Sequence, residues 1–389
     1  MVIKILLISW HPGYKFITAG GLVRSREIIK KFPFKTDLLV IDRYPSIYSD
    51  LLSPEQIFEY RIPHLVQTLL PKFYFVERIL EWLVSMFFII IIALHVLRDR
   101  NIKVIYVPNS EMAVVSLPAF LLHLFLKRKL VFCNGNVEGR TYLATILLRF
   151  SAFIHNYADC VITYSQALRA AQIKSGITKS PIFVNGVGLD LELFTRNKQS
   201  SKKTYDLIIV GRVVKEKGVY DLPAIFQHLK QIGLKFNAVI VGEGPTKTKD
   251  DLLRQFATFG LTDLVEFTGS ISEADKVQLY YSSKICIFPS YVEGWGIVPQ
   301  EAMAAGLPVI TYNLEVYQEN IAPCSSVFRV ETGNVKAFAE VVERLLRMGD
   351  EEREQLGAGG REFVKRFDWN IIAQREYDII TQKDQYGTV

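Results

Sequence analysis

Ten short apolar runs, each followed by room for a helix, set the strongest limit on what this chain can fold into. Five lie in the first half: KILLISW (4–10), KTDLLVID (35–42), VIYVP (104–108), KLVFCNG (129–135) and CVITYS (160–165). Five lie in the second: YDLIIVG (205–211), FNAVIVG (236–242), LVEFTG (264–269), ICIFPS (285–290) and PVITY (308–312). Strands apolar along their whole length, separated by helix-length segments, specify parallel sheets covered on both faces. The pattern halts at LELFTRNKQSSKKTY (191–205), a polar stretch that reads as a linker, and then restarts. A length of 389 residues also suits two domains. The expected fold class is therefore α/β, with two Rossmann-like domains facing across a cleft. The first covers 1–195 and the second 205–362, and 363–389 forms a helical tail. Residues 43–75, with Pro45, Pro54, Pro63 and Pro71, read as an irregular excursion near a binding face.

Composition narrows the function classes. A hydrophobic fraction of 49% against 22% charged residues excludes a disordered chain. Cys133, Cys160, Cys286 and Cys324 are far apart and form no CxxC pair, so neither a zinc cluster nor a disulfide scaffold is expected, and a reducing compartment is the default. The opening MVIKILLISW lacks the flanks of a signal peptide and reads as a first buried strand. Charge is uneven. Residues 1–200 hold 24 Lys/Arg and 14 Asp/Glu, a net +10, whereas 201–389 hold 22 and 26, a net −4. A basic first half fits nucleic acid or an anionic membrane surface. No zinc-finger, KH or RNP pattern supports nucleic acid. The apolar runs 82–97 and 113–126, the latter ending at KRK (127–129), favour the membrane. Each is shorter than the roughly 20 residues that span a bilayer, so buried helices with some membrane-facing surface are expected. That places the protein in the cytoplasm, peripherally on the cytoplasmic face of a membrane.

Four loops carry candidate chemistry. TAGG (18–21) puts Gly20 and Gly21 ahead of a helical pattern, where backbone amides can receive an anion. GRVVKEKG (211–218) follows the first strand of the second domain and carries Arg212 and Lys217, a fork and a point charge suited to a diphosphate. VGEGPTKTKD (241–250) is not a phosphate-binding P-loop, because Thr246 stands where its last glycine belongs. YVEGWGIVPQEAMAAG (291–306) holds two acids. Glu293 lies in a glycine loop with Gly294, Trp295 and Gly296, and Ile297 and Val298 lead into a helix begun by Pro299. Glu301, in the first turn, would repel phosphates and is better suited to accepting a ribose or sugar diol. Paired carboxylates also serve retaining glycosidases, but these two sit beside a phosphate site rather than astride a glycosidic bond.

These motifs resemble those of the retaining glycosyltransferases of the GT-B fold in family 4, the glycosyl transferases group 1. EGWGIVPQEAMAAGLPVI (293–310) is similar to that family's EGFGLxxxEAMAxGxPVI, with Trp295 for the usual Phe. GRVVKEKG, VGEGP and, with one extra residue, NGVGLDLELF (185–194) also match. The resemblance is strongest over 205–312. It implies transfer of a hexose from a UDP- or GDP-linked donor to an acceptor hydroxyl, with no cofactor and no required metal. Arg212 and Lys217 would clamp the diphosphate, Glu301 would hold the ribose and Glu293 the donor sugar. The backbone of Gly294 through Val298 would serve sugar and phosphate, and Gly20 and Gly21 would approach the diphosphate and acceptor. The family's N-terminal histidine position falls on Asn134, which hydrogen-bonds but carries no charge. His11 and His155 are expected to be structural or peripheral. The last helix is expected to cross back to the first domain. A lipid- or polyprenyl-linked glycan is the favoured acceptor. A soluble sugar or protein acceptor, or an epimerase or hydrolase of nucleotide sugars, is the alternative.

Overall fold

The computed structural model describes residues 3–9, 20–33, 36–42, 48–59, 74–99, 102–110, 113–135, 142–197 and 203–381. The chain divides into two compact units, Met1–Gly188 with Trp369–Val389, and Leu189–Asp368. The first unit holds β1 (Ile3–Ile8), β2 (Thr36–Asp42), β3 (Ile57–Glu59), β4 (Ile102–Val107), β5 (Lys129–Asn134), β6 (Cys160–Thr163) and β7 (Ile182–Val184). They form one sheet in the order β3-β2-β1-β4-β5-β6-β7, parallel throughout. The second unit holds β8 (Tyr205–Val210), β9 (Ala238–Val241), β10 (Val265–Gly269), β11 (Ser283–Phe288), β12 (Val309–Tyr312) and β13 (Val327–Val330). Their order, β10-β9-β8-β11-β12-β13, is also wholly parallel and is the doubly wound Rossmann order. The α/β class with two Rossmann-type sheets holds.

Strand burial follows the period-2 rule. In the second unit Leu207 and Ile209 of β8 join one core with Ile225, Phe226, Phe338 and Val342. The intervening Ile208 and Val210 join the opposite core with Ala302, Met303 and Tyr317. Both faces are therefore covered, as the continuous apolar runs require. In the first unit three helices, Tyr74–Asp99, Ala113–Leu126 and Tyr142–His155, share a core with one face of the sheet through Ile89, Ala93, Val115, Ala119, Leu122 and Ile154.

Three details differ from the sequence reading. The stretch 191–205 is not simply a linker. Leu191–Arg196 is a helix of the second unit, N-capped by the Asp190 side chain on Leu193 N (3.0 Å), with Phe194 buried near the Tyr280 ring. Its charges face outward and hide an apolar side. The chain leaves the first unit at 188 rather than near 195, and the stretch that returns to it starts at 369 rather than 363. Finally, β3, β7 and β13 were not anticipated; each is only three or four residues long. β3 lies inside the excursion 43–75, of which 43–47 and 60–73 fall outside the described residues.

No described helix is long and apolar enough to cross a membrane. All four cysteines are free and buried. His155 closes its helix against the Phe132 ring (4.6 Å), with Nε2 3.1 Å from the Ser110 carbonyl. Burial pushes its pKa down to about 4, and the Ser110 hydrogen bond only partly opposes this. The folded value lies below the unfolded one, so the neutral imidazole favours the fold above about pH 6.5 and that advantage is lost as pH falls towards 4. His155→Gln, which keeps a donor but does not titrate, is expected to erase this dependence. Relative to the variant, the wild type should lose about 2–3 kcal/mol between pH 7 and pH 4.5 in urea denaturation. A pH-independent difference between the two would refute the assignment.

Candidate active site

In an open doubly wound sheet, ligands bind beyond the strand carboxyl ends where the strand order reverses. In the second unit that point lies between β8 and β11. The loops leaving these two strands are GRVVKEKG and PSYVEGWG. They are fastened to one another. Tyr291 N donates to the Glu216 carbonyl (2.9 Å), and Ser290 Oγ donates to the same carbonyl (3.2 Å). Gly218 makes the approach possible. It sits at φ +69, and a Cβ there would lie 1.8 Å from the Pro289 carbonyl oxygen. The loop after β9 joins them, as Val213 N donates to the Glu243 carbonyl (2.8 Å) and Gly211 N to the Val241 carbonyl (2.9 Å).

This arrangement brings Lys217 and Glu293 together. The Lys217 ammonium donates to Glu293 Oε1, with both side chains largely buried and the ammonium 5.6 Å from the Phe288 ring centroid. Arg212 lies on the same loop but is exposed, and its guanidinium has no side-chain partner among the described residues. One cation is thus held by the candidate sugar-reading acid and the other is free for an anion.

Gly296 turns the second loop into the Ile297–Ala304 helix. Its φ is +78, and a Cβ there would lie 2.5 Å from the Tyr317 ring. No side chain caps this helix start, so its first amides stay available beside the loop. Trp295 packs inward. Its ring meets Phe367 edge-on (5.7 Å, 87°), its Nε1 donates to Gln300 Oε1 (3.1 Å), and its carbonyl accepts from Asn320 Nδ2 (2.6 Å). Trp295 therefore braces the loop with its ring and indole N–H, leaving only its backbone amide for a ligand.

Glu301 is buried one turn into the helix. Oε1 accepts from Lys276 Nζ (3.0 Å) and Oε2 from the Tyr280 hydroxyl (2.9 Å). Burial pushes its pKa up, and Lys276 and Tyr280 pull it back. Burial also works against the Lys276 charge, but Glu301 and Glu273 more than restore it. Two of the roughly four lone-pair directions of the carboxylate remain, enough for a diol.

The other candidates lie in the first unit. The Gly20–Lys30 helix begins at Gly20, with Gly21 its second residue. Asn134 is buried at the end of β5, and its carbonyl accepts from Gln172 Nε2 (3.0 Å). His11 falls outside the described residues. Among the described residues no cluster of three or more His, Cys, Asp or Glu is placed to hold a metal.

The sequence reading missed the supports. Lys276 and Tyr280 lie on the Glu273–Tyr281 helix, 25 and 21 residues from Glu301. Tyr317 and Asn320 lie on the Glu315–Asn320 helix. Asp221 accepts from both Tyr291 (2.8 Å) and Tyr312 (2.6 Å), anchoring the residue that leads into Glu293. No motif marks these residues, because they serve only through the fold.

Residues 192–363 match the family model described as glycosyl transferases group 1. The match is to less than half of the chain, and over 192–363 the chain is similar to that family. That span covers nearly all of the second unit, including both loops and Glu301. Over 251 residues the chain is 28% identical to the capsular polysaccharide biosynthesis glycosyltransferase CapM of Staphylococcus aureus, covering 61% of this chain and 64% of the relative. Over 155 residues it is 32% identical to the phosphatidyl-myo-inositol mannosyltransferase of Mycobacterium leprae, covering 40% and 39%. The chain thus matches less than two thirds of the length of either relative. The fold is shared over a longer span. The crystal structure of Anabaena HepE in complex with UDP and glucose superposes with a TM-score of 0.72 at 18% identity, covering 98% of this chain and all of the other. The family match over 192–363 and the shared fold agree with the motif reading.

Proposed function

We propose that this protein is a retaining glycosyltransferase that moves a hexose from a UDP- or GDP-linked donor to an acceptor hydroxyl, the acceptor being a lipid- or polyprenyl-linked glycan at the cytoplasmic face of a membrane. The observation that carries the reading is the switch-point cluster, where two fastened loops put Lys217 on Glu293 and leave Arg212 open beside them. Glu301 lies one turn into the following helix. In the proposed reaction the C1–oxygen bond to the diphosphate breaks and the acceptor oxygen bonds to C1 on the same face. The acceptor proton passes to the departing diphosphate. Arg212, Lys217 and the amides at the start of the Ile297–Ala304 helix stabilise the charge gathering on that leaving group. Glu301 holds the ribose diol, Glu293 reads the sugar hydroxyls, and Gly294 through Val298 present backbone amides. In the first unit, Gly20 and Gly21 offer amides at a helix start and Asn134 offers a neutral hydrogen-bonding group. The cations and amides supply countercharge from the protein itself, so metal is not required.

The lipid acceptor draws support from the basic, apolar first unit and from the similarity to the M. leprae relative, a phosphatidyl-myo-inositol mannosyltransferase. A screen of radiolabelled UDP- and GDP-sugars, with and without membrane lipid extract, tests both halves. Label passing into an organic-soluble product only when extract is present is the expected result. Label on a water-soluble acceptor would replace the lipid reading, and release of free sugar or an epimer with no acceptor would favour the hydrolase or epimerase. Failure of every nucleotide sugar to bind in calorimetry would sink the transferase.

A further inference from the structure

The three helices over one face of the first sheet have a second side. Residues 82–97, 113–126 and 142–155 contain no Asp, Glu or Lys and a single Arg, Arg149. Their inner sides fill the core with Ile89, Ala93, Ala119, Leu122 and Ile154. Yet Leu83, Phe87, Ile91 and Leu94 stand exposed on the first helix, Phe87 by 61%. Spaced by four, four and three residues, they form one stripe opposite the buried side. On the second helix Phe125 is 79% exposed, and on the third Phe153 is 56% exposed. A helix apolar on both sides is ordinarily buried on both, and here one side meets solvent.

The exposed residues gather into one region. The helices follow successive strands of a parallel sheet, so all three run the same way. Leu94, Phe125 and Phe153 each fall in the last turns of their helices and so lie towards one end. Aromatic contacts tie two of the helices there, with Tyr157 5.3 Å from Phe120 on the second helix and 5.4 Å from Phe153 on the third. The margin is cationic. Lys127 and Arg149 are exposed, and the exposed Lys179 lies 5.9 Å over the Tyr157 ring. Among the described residues the nearby acid, Asp159, is engaged by Leu130 N (2.7 Å) and His123.

We propose that this side of the first unit docks on a bilayer carrying anionic headgroups, with Phe87, Phe125 and Phe153 entering the acyl boundary and Lys127 and Arg149 meeting phosphate. Apolar residues with a ring of cations are the composition that binds such surfaces, and the two contributions reinforce each other. No described helix crosses the membrane, so the contact lies in the interface plane. The assignment deepens the lipid-acceptor reading and rests on it for its purpose.

The test is flotation of the full chain with vesicles of phosphatidylcholine alone or mixed with phosphatidylglycerol. Binding to the mixed vesicles, weakened about tenfold by high salt, is expected. F87S/F125S/F153S, changing only exposed side chains, should lower the bound fraction at least about tenfold and leave circular dichroism unchanged. K127E/R149E should act chiefly on the mixed vesicles. Equal binding by wild type and the triple-serine variant, or none by the wild type, overturns the docking surface. So does a wild-type dimer in sedimentation that the triple variant converts to monomer, since the face would then be an interface between copies. Calorimetry with UDP- and GDP-sugars on the same preparations separates the two readings. Donor binding without vesicle binding removes only the docking surface, and vesicle binding without donor binding removes only the transferase.

Discussion

Glu376→Ala is expected to destabilise the first unit by about 3–5 kcal/mol, because it leaves a buried arginine without its counterion. Glu376 lies on the Trp369–Thr381 helix and faces Arg24 of the Gly20–Lys30 helix, across 352 residues of sequence. Both are fully buried. Two guanidinium nitrogens meet the two carboxylate oxygens, one contact at 3.0 Å and the other shorter. Tyr106 donates to one oxygen and Asn185 to the other (2.7 Å). Arg24 also donates through Nε to the Gly186 carbonyl (3.0 Å) and lies over the Tyr164 ring. Burial disfavours the Arg24 charge, and Glu376 more than restores it. Single and double replacements should therefore differ sharply. Glu376→Gln keeps the shape but loses the charge, and is expected to fall between wild type and alanine. R24M/E376L removes both charges and should lie within about 1–2 kcal/mol of wild type, since a buried pair roughly balances its own desolvation. Urea denaturation of the four proteins checks this, and additive single costs would refute the coupling. Arg24 is one turn from Gly20, so the network also fixes the start of that helix. In the proposed reaction, Glu376→Gln should then lower turnover more than its modest loss of stability accounts for.

That network shows what a single sequence leaves hidden. Asn185 belongs to the NGVGLDLELF motif, which is visible in the sequence, but its task is to hold the returning helix at Glu376 and the Ile372 carbonyl (3.1 Å). Arg24 reads as one more charge on an amphipathic helix. A local pattern carries the strands, the glycine turns and the acid pair, because period, φ and spacing are local properties. Both sheets were legible for that reason, apart from edge strands such as β3 and β13, which are only partly buried and so carry no continuous apolar run. A partner 352 residues away leaves no local mark. The same limit applies within the site. Glu301 was visible as an acid in a first turn, but Lys276 and Tyr280 were not. Trp295 reads as a ligand residue because it stands between two glycines, and only the fold shows its ring turned onto Phe367. The stretch 191–205 misled because its charges are real and its buried Phe194 is a single residue.

Arg212→Ala and Lys217→Ala are each expected to weaken UDP or GDP binding by roughly 10- to 100-fold, the loss of a charge-assisted contact worth about 1.5–3 kcal/mol. Their other effects should separate. Arg212 is exposed and holds no side-chain partner among the described residues, so its removal should shift stability by no more than about 0.5 kcal/mol. Lys217 neutralises Glu293 in a largely buried pair, so Lys217→Ala leaves an uncompensated carboxylate beside the proposed diphosphate site. It should therefore also lower the melting temperature. Glu293→Gln supplies the contrasting sign. It removes the internal anion that competes with a diphosphate for Lys217, so nucleoside diphosphate binding should hold or tighten. Sugar transfer should nonetheless fall about 10²- to 10³-fold, because the group that reads the donor hydroxyls has lost its charge. Calorimetry with UDP and GDP, paired with a transfer assay, checks the three variants together. If both cation variants bind the nucleotides as the wild type does, the diphosphate does not sit at this switch point. If Glu293→Gln weakens UDP and transfer in parallel, Glu293 shapes the loop rather than reading the sugar.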